Sequence, residues 1–569
     1  MNGQTPTAPQ HDEYDVVVLG AGAGGMTAAL VARLEGLRVL LVERSDRIGG
    51  TTARSSGTVW IPDNPEQRRH GVLDDAAAAR TYLDALVGTR ADPALREAFL
   101  VAGPQMLRYL EERTDIGFRS YLTSVDYRQD LPGAARGGRP LEPVPFDGRT
   151  LGDAFDRVGD PLPELMLLGG MMITRAEAAR LLRLPWSAGA FVLGARLVAR
   201  YAADRLRFRR GTRLVLGNAL AARLFRNLVD RHVPIWFGTE TSRLVVEGGR
   251  VAGVAVRRDG KASTVRARRG VVLAGGGFPA NAQWRDRYLP HPVARHTPAC
   301  EGCTGATLEL ALAAGAALGP GGIDNAQWFP SSIATREDGS TIVYPHIVLD
   351  RAKPGLVAVN ARGQRFVDEA VSYHEFVRAM YGAHASVPAI PAWLVCDRRF
   401  VWKYGLGMIR PRTLRLQGFV DRGYLKTAPT IPALASAIGV DEAGLALTVE
   451  RHNEYARIGH DPDFGKGGNP YDVGNGDPEH GPNPCLGRIA TPPFCAVAVE
   501  PTPLGTSLGL RTDAAARVCD GAGNPIPGLF ACGNDMDSPF GGEYPGAGGQ
   551  IGLAMTFGYV AAQTASRLP

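Results

Sequence analysis

The sequence predicts an α/β protein in which both ends of the chain build one Rossmann-like domain around an inserted α+β domain. Three observations predict it. A strand, a glycine cluster, a helix and a second strand follow one another between Tyr14 and Val42. Glycine-rich segments return at Gly528–Gly542 and Tyr544–Gly552, and a helical stretch covers Ile551–Ala565. Between them, from about 325 to 500, aromatic residues and Pro increase and glycine clusters thin out, except over Gly465–Gly476. The expected boundaries are 1–325 and 500–569 for the domain built from the ends, and 326–499 for the inserted, catalytic one.

Each element follows from local pattern. The first twelve residues are polar, include two Pro and read as a disordered tail without the apolar core of a signal peptide. Tyr14–Leu19 is a short β-rich apolar run, Gly25–Glu35 is helical, and Arg38–Val42 is a strand that closes on Glu43, together a βαβ unit. From about 75 to 230, Ala, Leu and Arg recur at helical spacing. Within it, Leu165–Ile173 is the nearest candidate for a membrane span, and its nine residues fall well short of the ~18 that span a bilayer. Arg196–Arg213 holds seven Arg among Leu, Ala, Val and Phe, which reads as a solvated helix, with peripheral membrane contact as the alternative. Ser242–Val256 and Thr264–Leu273 are β segments around turns at Glu247–Gly249 and Asp259–Gly260, and Leu273–Phe278 runs into a further glycine cluster. Gly305–Gly315 is an Ala-rich helix.

Composition sets limits. With 45% hydrophobic and 21% charged residues over 569 positions, the chain can bury a large core and is not globally disordered. A net charge of +6 on 63 basic and 57 acidic residues is too small and too dispersed for nucleic acid. Seven Cys, an odd number, fit reduced thiols in a cytoplasmic setting. Cys300 and Cys303 form a CxxC without an evident strand–turn–helix context, and no second CxxC lies nearby to complete a zinc site, so no metal is expected.

Gly20-Ala-Gly22-Ala-Gly-Gly25 is a GxGxxG between strand and helix, with Glu43 ending the next strand. Gly20 permits the tight turn, Gly22 lets a pyrophosphate approach the backbone, and Gly25 lets helix pack on strand. The helix N-terminus offers N–H groups and partial positive charge to phosphates. Glu43 can accept from ribose hydroxyls and disfavours a 2′-phosphate. The motif alone does not separate NAD from FAD. Three segments further along the chain do. Arg44 to Thr52 carries a second Gly-Gly turn at Gly49-Gly50, Leu273-Ala-Gly-Gly-Gly-Phe278 ends a later strand, and Pro527–Asp535 forms a C-terminal strand ending on an acid.

These segments, with Pro354–Glu369 and Gly541–Phe557, resemble the fumarate reductase/succinate dehydrogenase flavoprotein superfamily, and within it the 3-ketosteroid Δ1-dehydrogenase-like branch. The matching stretches cover about half the chain and are spread along all of it. The resemblance implies FAD held by Gly20, Gly22, Gly25, Glu43, Arg44, Gly50, Thr51, Thr52, Ser56, Gly57, Ala274, Gly276, Asn534, Asp535, Gly549 and Ile551, with Asp535 meeting the ribityl chain. Ala53-Arg54-Ser55 stands where succinate dehydrogenases carry a tethering His, so the FAD is expected to be non-covalent. The resemblance also implies a catalytic set: Tyr373 as base, Tyr544 and the Gly548 N–H as donors to the ketone, and Tyr127, with Tyr121 as rival, as hydrogen-bond partner of the base.

The chemistry asks for such a set. Desaturation beside a ketone removes an α proton and a β hydride; the flavin accepts the hydride, a positioned base takes the proton, and donors hold the developing enolate. The expected activity is therefore that of an FAD-dependent oxidoreductase acting on a cyclic ketone, a 3-ketosteroid first and a smaller cyclohexanone-type ketone second, with an electron acceptor of unspecified chemistry. Residues 325–350, around Trp328 and Tyr344, carry no clear steroid signature. A reductase of an activated C=C bond and a non-catalytic electron carrier are the alternatives. His346 and His374 read as structural or surface residues, and no His/Arg cluster for a carboxylate surrounds the C-terminal glycine loop.

Overall fold

The computed structural model describes residues 13–163, 166–181, 187–336 and 338–569. The polar tail and Leu165, the first residue of the Leu165–Ile173 run, lie outside the described residues. β1 (Glu13–Leu19), α1 (Ala23–Leu34) and β2 (Val39–Val42) form the expected βαβ unit, with β1 and β2 parallel from Val16↔Val39 to Leu19↔Val42. The side chains of Val16, Val17 and Val18 are fully buried, as a central parallel strand covered on both faces requires.

The parallel sheet runs in the order Pro525–Ala531, Lys261–Leu273, β1, β2 and Ile235–Trp236. A strand from the far end of the sequence thus completes the sheet begun at the near end. Lys261–Leu273 has two roles. Lys261–Arg266 pairs antiparallel with Arg250–Arg258, which pairs in turn with Thr239–Glu247, while Val271–Leu273 pairs parallel with Leu529–Ala531. The two expected turns are there, with positive φ at Gly248, Gly249, Asp259 and Gly260. The C-terminal helix Gly549–Ser566 lies against α1, and a Cβ on Gly558 would come within 2.5 Å of the Gly24 carbonyl oxygen.

The 75–230 region departs from its expected helical character in the middle. Helices Ala76–Val87, Pro93–Arg113, Ala188–Arg205 and Leu216–Asp230 form, but Phe118–Ser120 and Pro140–Pro143 are strands that join Val59–Trp60 in a three-stranded antiparallel sheet. Pro140, Pro143 and Pro145 break a helical ladder there. Helix Ala188–Arg205 buries only Ala190, Leu197 and Asp204, along one seam. Among the described residues, no helix is long and apolar enough to cross a membrane.

The second sheet is antiparallel, in the order Thr341–Pro345, Ala326–Thr335, Phe494–Thr506, Ala392–Asp397 and Leu356–Val359, with Lys426–Ala428 also on Phe494–Thr506. Phe494–Thr506 crosses the boundary expected at 499, because its hydrogen bonds to Ala326–Ser331 extend to Thr506. Its far tip touches the first domain, where the Phe278 N–H donates to Thr506 Oγ1 at 3.3 Å.

Candidate active site

Five parallel strands lie side by side, and the glycine turns lie at carboxyl ends among them, the crevice where open α/β sheets hold ligands. Gly20 has φ 107° and packs so tightly on the Ala274 carbonyl that no side chain fits. Gly25 packs equally closely on the Gly20 carbonyl. Gly22 differs: a Cβ there would meet no atom within 4 Å, and the same holds at Gly50. Both point into open space beside a helix start, a cradle that fits a pyrophosphate. Glu43 Oε2 accepts from the Ala21 N–H at 2.8 Å and Oε1 from the Ser45 N–H at 2.9 Å, so the acid also braces the glycine loop. Thr52 Oγ1 accepts from the Ala23 N–H at 3.2 Å, and Arg44 donates to Thr304 Oγ1 at 3.0 Å. Ser56 Oγ lies 3.0 Å from Thr58 Oγ1, and Gly57 packs on Gly217.

Asp535 also braces a glycine turn. Its oxygens accept from the N–H groups of Gly275 at 2.6 Å and Gly277 at 2.9 Å, beside Gly276, and burial raises its carboxyl above the usual range. The acid closes the Ala274–Gly277 turn and is engaged there. Its neighbour Asn534, with Gln327, Tyr544, Gly549 and Gln550, lines a cavity between the two sheets. Ile551 is half-buried in the first turn of the C-terminal helix.

The tyrosines converge from three distant segments. The Tyr127 hydroxyl donates to the Tyr373 hydroxyl at 2.6 Å, across 246 positions of sequence. Ring centroids lie 5.5 Å apart for Tyr127–Tyr544 and 5.6 Å for Tyr373–Tyr544. Each has an evident anchor. Tyr373 opens the helix Tyr373–His384, capped by Ser372, whose hydroxyl accepts from the Glu375 N–H. Before it, Glu369 is buried among Arg365 and Lys466; burial pushes its carboxyl up, but the two cations prevail and hold it well below the usual range. The Arg-Phe-x-x-Glu segment is thus a scaffold that aims Tyr373. Tyr127 follows Asp126, which binds Trp60 Nε1 at 2.8 Å and Arg139 at 2.6 Å. Tyr121 stays in the loop beside Pro140, outside the cluster.

Tyr544 lies in a buried glycine loop that is firmly held. The Pro545 carbonyl accepts from Tyr82 Oη at 2.7 Å and from the Tyr127 N–H at 3.1 Å. Glu543 pairs with Arg90 at 2.8 Å and with Arg378 at 2.5 Å, and Arg378 also binds Asp324 at 2.9 Å. The sequence reading missed this ion-pair knot, which ties the loop to the Tyr373 helix; His374 and Glu375 also approach Glu543. Gly548, with φ 96°, caps the C-terminal helix and packs on the Thr58 carbonyl, where a side chain would clash. Tyr471 and Phe329, also missed, meet Tyr127 and Tyr373 edge to face, with ring centroids 5.2 and 4.6 Å apart. Burial pushes the Tyr373 phenol well above its ordinary value and Tyr544 up to about 12. It also keeps His374 neutral. His346 is structural, bonded to Asp350 at 2.6 Å and Ser332 at 2.9 Å.

Residues 15–551 match the family described as FAD binding domain. The chain belongs to this family. Within the FAD-binding family it is similar to a 3-oxosteroid 1-dehydrogenase of Mycobacterium tuberculosis, 37% identical over 97% of this chain and 98% of that protein. It is also similar to a 4-oxocyclohex-2-ene-1-carboxylate 5-dehydrogenase of Sinomonas cyclohexanicum, 36% identical over 97% of this chain and 94% of that protein. The crystal structure of a 3-ketosteroid Δ1-dehydrogenase from Sterolibacterium denitrificans in complex with 1,4-androstadiene-3,17-dione superposes with a TM-score of 0.91, at 39% identity, covering 98% of this chain and 99% of that one. This member of the FAD-binding family is an FAD-dependent oxidoreductase, with the fold and cofactor that the sequence resemblance implied.

Proposed function

We propose that the protein desaturates a cyclic ketone beside its carbonyl, with a 3-ketosteroid as substrate. The observation that carries this is the Tyr127–Tyr373 hydroxyl pair, 2.6 Å apart, with Tyr544 packed against both at the mouth of the flavin crevice. Tyr373 receives the α proton. Tyr373 does so as a phenolate, having first passed its own proton to solvent, and the Tyr127 hydroxyl stabilises that phenolate by donating to its oxygen. The Tyr544 hydroxyl and the Gly548 N–H hold the ketone oxygen, acidifying the α C–H and offsetting the burial that disfavours a phenolate. When bound, FAD accepts the β hydride at N5. The cradle of Gly22 and Gly50 holds its pyrophosphate, and Glu43 its ribose.

Phe329, Tyr471, Val125, Ile347 and Leu504 wall the cluster with apolar surface. Arg351, the buried cation nearby, donates to the carbonyls of His346, Ile347, Glu369 and Val371. Both features support a neutral, extended apolar ketone over a ring bearing a carboxylate. An electron carrier needs no such tyrosine pair. Anaerobic mixing of oxidised protein with a 3-ketosteroid, a simple cyclohexanone and 4-oxocyclohexanecarboxylate tests the reading. Flavin bleaching by the steroid is expected; bleaching by none of the three sinks the proposal, and bleaching by the carboxylate alone transfers it to the smaller ring.

We also place the protein in a reducing, cytosolic setting, on its odd number of thiols. Helix Ala188–Arg205 supports contact with an anionic lipid surface: Phe191 and Val192 are 64% and 54% exposed beside exposed Arg196 and Arg205. Sedimentation with anionic but not zwitterionic vesicles is the expected result, and its absence counts against that contact.

A further inference from the structure

Cys300 and Cys303 take no part in the chemistry above, yet they adjoin the cofactor cradle on two sides. The Cys300 N–H donates to Thr51 Oγ1 at 3.0 Å, and Cys303 Sγ lies 3.5 Å from the same oxygen. On the other side, a Cβ on Gly276 would come within 2.8 Å of Cys303 Sγ, so the sulfur rests against the Gly275–Gly277 turn. The two cysteines close a turn of their own, with the Cys303 N–H donating to the Cys300 carbonyl at 3.0 Å. Such an i to i+3 turn brings the Cα atoms within about 7 Å, close to the ~4.4–6.8 Å that a disulfide spans.

The pair is chemically unequal. Cys300 is half-buried and Cys303 buried. A hydrogen bond from the Cys303 thiol lowers the Cys300 thiol to about 6, helped by the Gly302 N–H and the Arg54 charge against the opposing effect of burial. That same bond, together with burial, pushes Cys303 up. Cys396, Cys485, Cys495, Cys519 and Cys532 are all pushed up by burial, including Cys396 and Cys495, which face each other across paired strands. Only Cys300 has the setting of a reactive thiolate, and its resolving partner is in place.

We propose that Cys300 and Cys303 form a thiol–disulfide switch, closed by hydrogen peroxide and opened by a dithiol, that governs how firmly the cradle holds FAD. The Cys300 thiolate attacks a peroxide oxygen; the O–O bond breaks, hydroxide leaves and is protonated to water, and Cys300 becomes a sulfenic acid. Cys303 then attacks the Cys300 sulfur, the S–O bond breaks and a second water leaves. Two thiols lose two electrons and two protons, and one peroxide is reduced to two waters. Closing the S–S bond draws Cys303 Sγ away from Thr51, which loosens the helix Gly50–Arg54 at the pyrophosphate.

Reduced holoenzyme is titrated with hydrogen peroxide, and thiols are counted after denaturation. The expected result is the loss of two of the seven thiols, with peptide mapping joining Cys300 to Cys303 and dithiothreitol restoring both. Cys303→Ser stops at a sulfenic acid that dimedone captures on Cys300, and Cys300→Ser retains its thiols. FAD release, read by flavin fluorescence, is faster from the oxidised wild type and unchanged by peroxide in Cys300→Ser. Retention of all seven thiols, or a linkage between other cysteines, overturns the switch. A disulfide that forms without faster FAD release overturns its control of the cradle.

Discussion

The proposed chemistry rests on three hydroxyls, those of Tyr127, Tyr373 and Tyr544, and each can be removed without removing its ring. Tyr373→Phe leaves FAD bound and lowers the rate of steroid oxidation by about 10²–10⁴, the worth of a positioned general base. Tyr544→Phe costs about 10²–10³, as for one lost oxyanion donor. Solvent deuterium incorporation at the α carbon separates the roles: it vanishes in Tyr373→Phe with reduced flavin, and exchange at the wild-type rate there assigns the base elsewhere. Gly22→Val places a side chain in the open space beside the α1 N-terminus. Protein purified from that variant is expected to be colourless, and a yellow, FAD-replete product removes the pyrophosphate from this position. The sequence made the glycines and Tyr373 legible because their neighbours in the chain carry the pattern. The bonds of Asp535 to Gly275 and Gly277, some 260 positions away, leave no local trace in the sequence. The Glu543–Arg378 pair was invisible for the same reason.

At the level of elements, the segment that aims Tyr373 carries a second charge device. Asp368 and Asp472 are buried together, and burial with the neighbouring carboxylate raises Asp368 to about 8. An acid whose folded value exceeds its unfolded one holds its proton longer when folded. Stability from this pair is therefore complete below about pH 4, declines as pH rises to about 8, and then levels. Denaturant midpoints measured from pH 5 to 9 should fall along that course in the wild type and fall less in Asp368→Asn; parallel slopes would exonerate the pair. Helices and turns with short-range signals were read well, among them α1, the Gly305–Gly315 stretch and both β turns. The strands Phe118–Ser120 and Pro140–Pro143 were not, since they exist by pairing, the second of them with Val59–Trp60 far upstream. The Ala- and Leu-rich helices on either side concealed them.

Across the whole molecule, the return of the late strand Pro525–Ala531 to the sheet that contains β1 was legible because glycine-rich segments mark both ends of the chain. The change of composition expected near 499 falls within one strand, Phe494–Thr506, because a strand does not stop where its composition changes. The shared sheet has an outcome for biosynthesis. β1 and Lys261–Leu273 emerge from the ribosome early, but the strand that flanks them, Pro525–Ala531, and the helix that covers α1 are translated last. Until then, the edge at Val271–Leu273 is unpaired and one side of the flavin crevice is missing. Chains arrested before residue 525 should retain no FAD, whereas released full-length chains should load it; cofactor bound to the arrested species would contradict this. Flavin loading is then expected to follow translation, and the nascent chain must shelter an exposed parallel-sheet edge while the stretch between Leu273 and Pro525 is made, an interval in which ribosome-associated chaperones would find it.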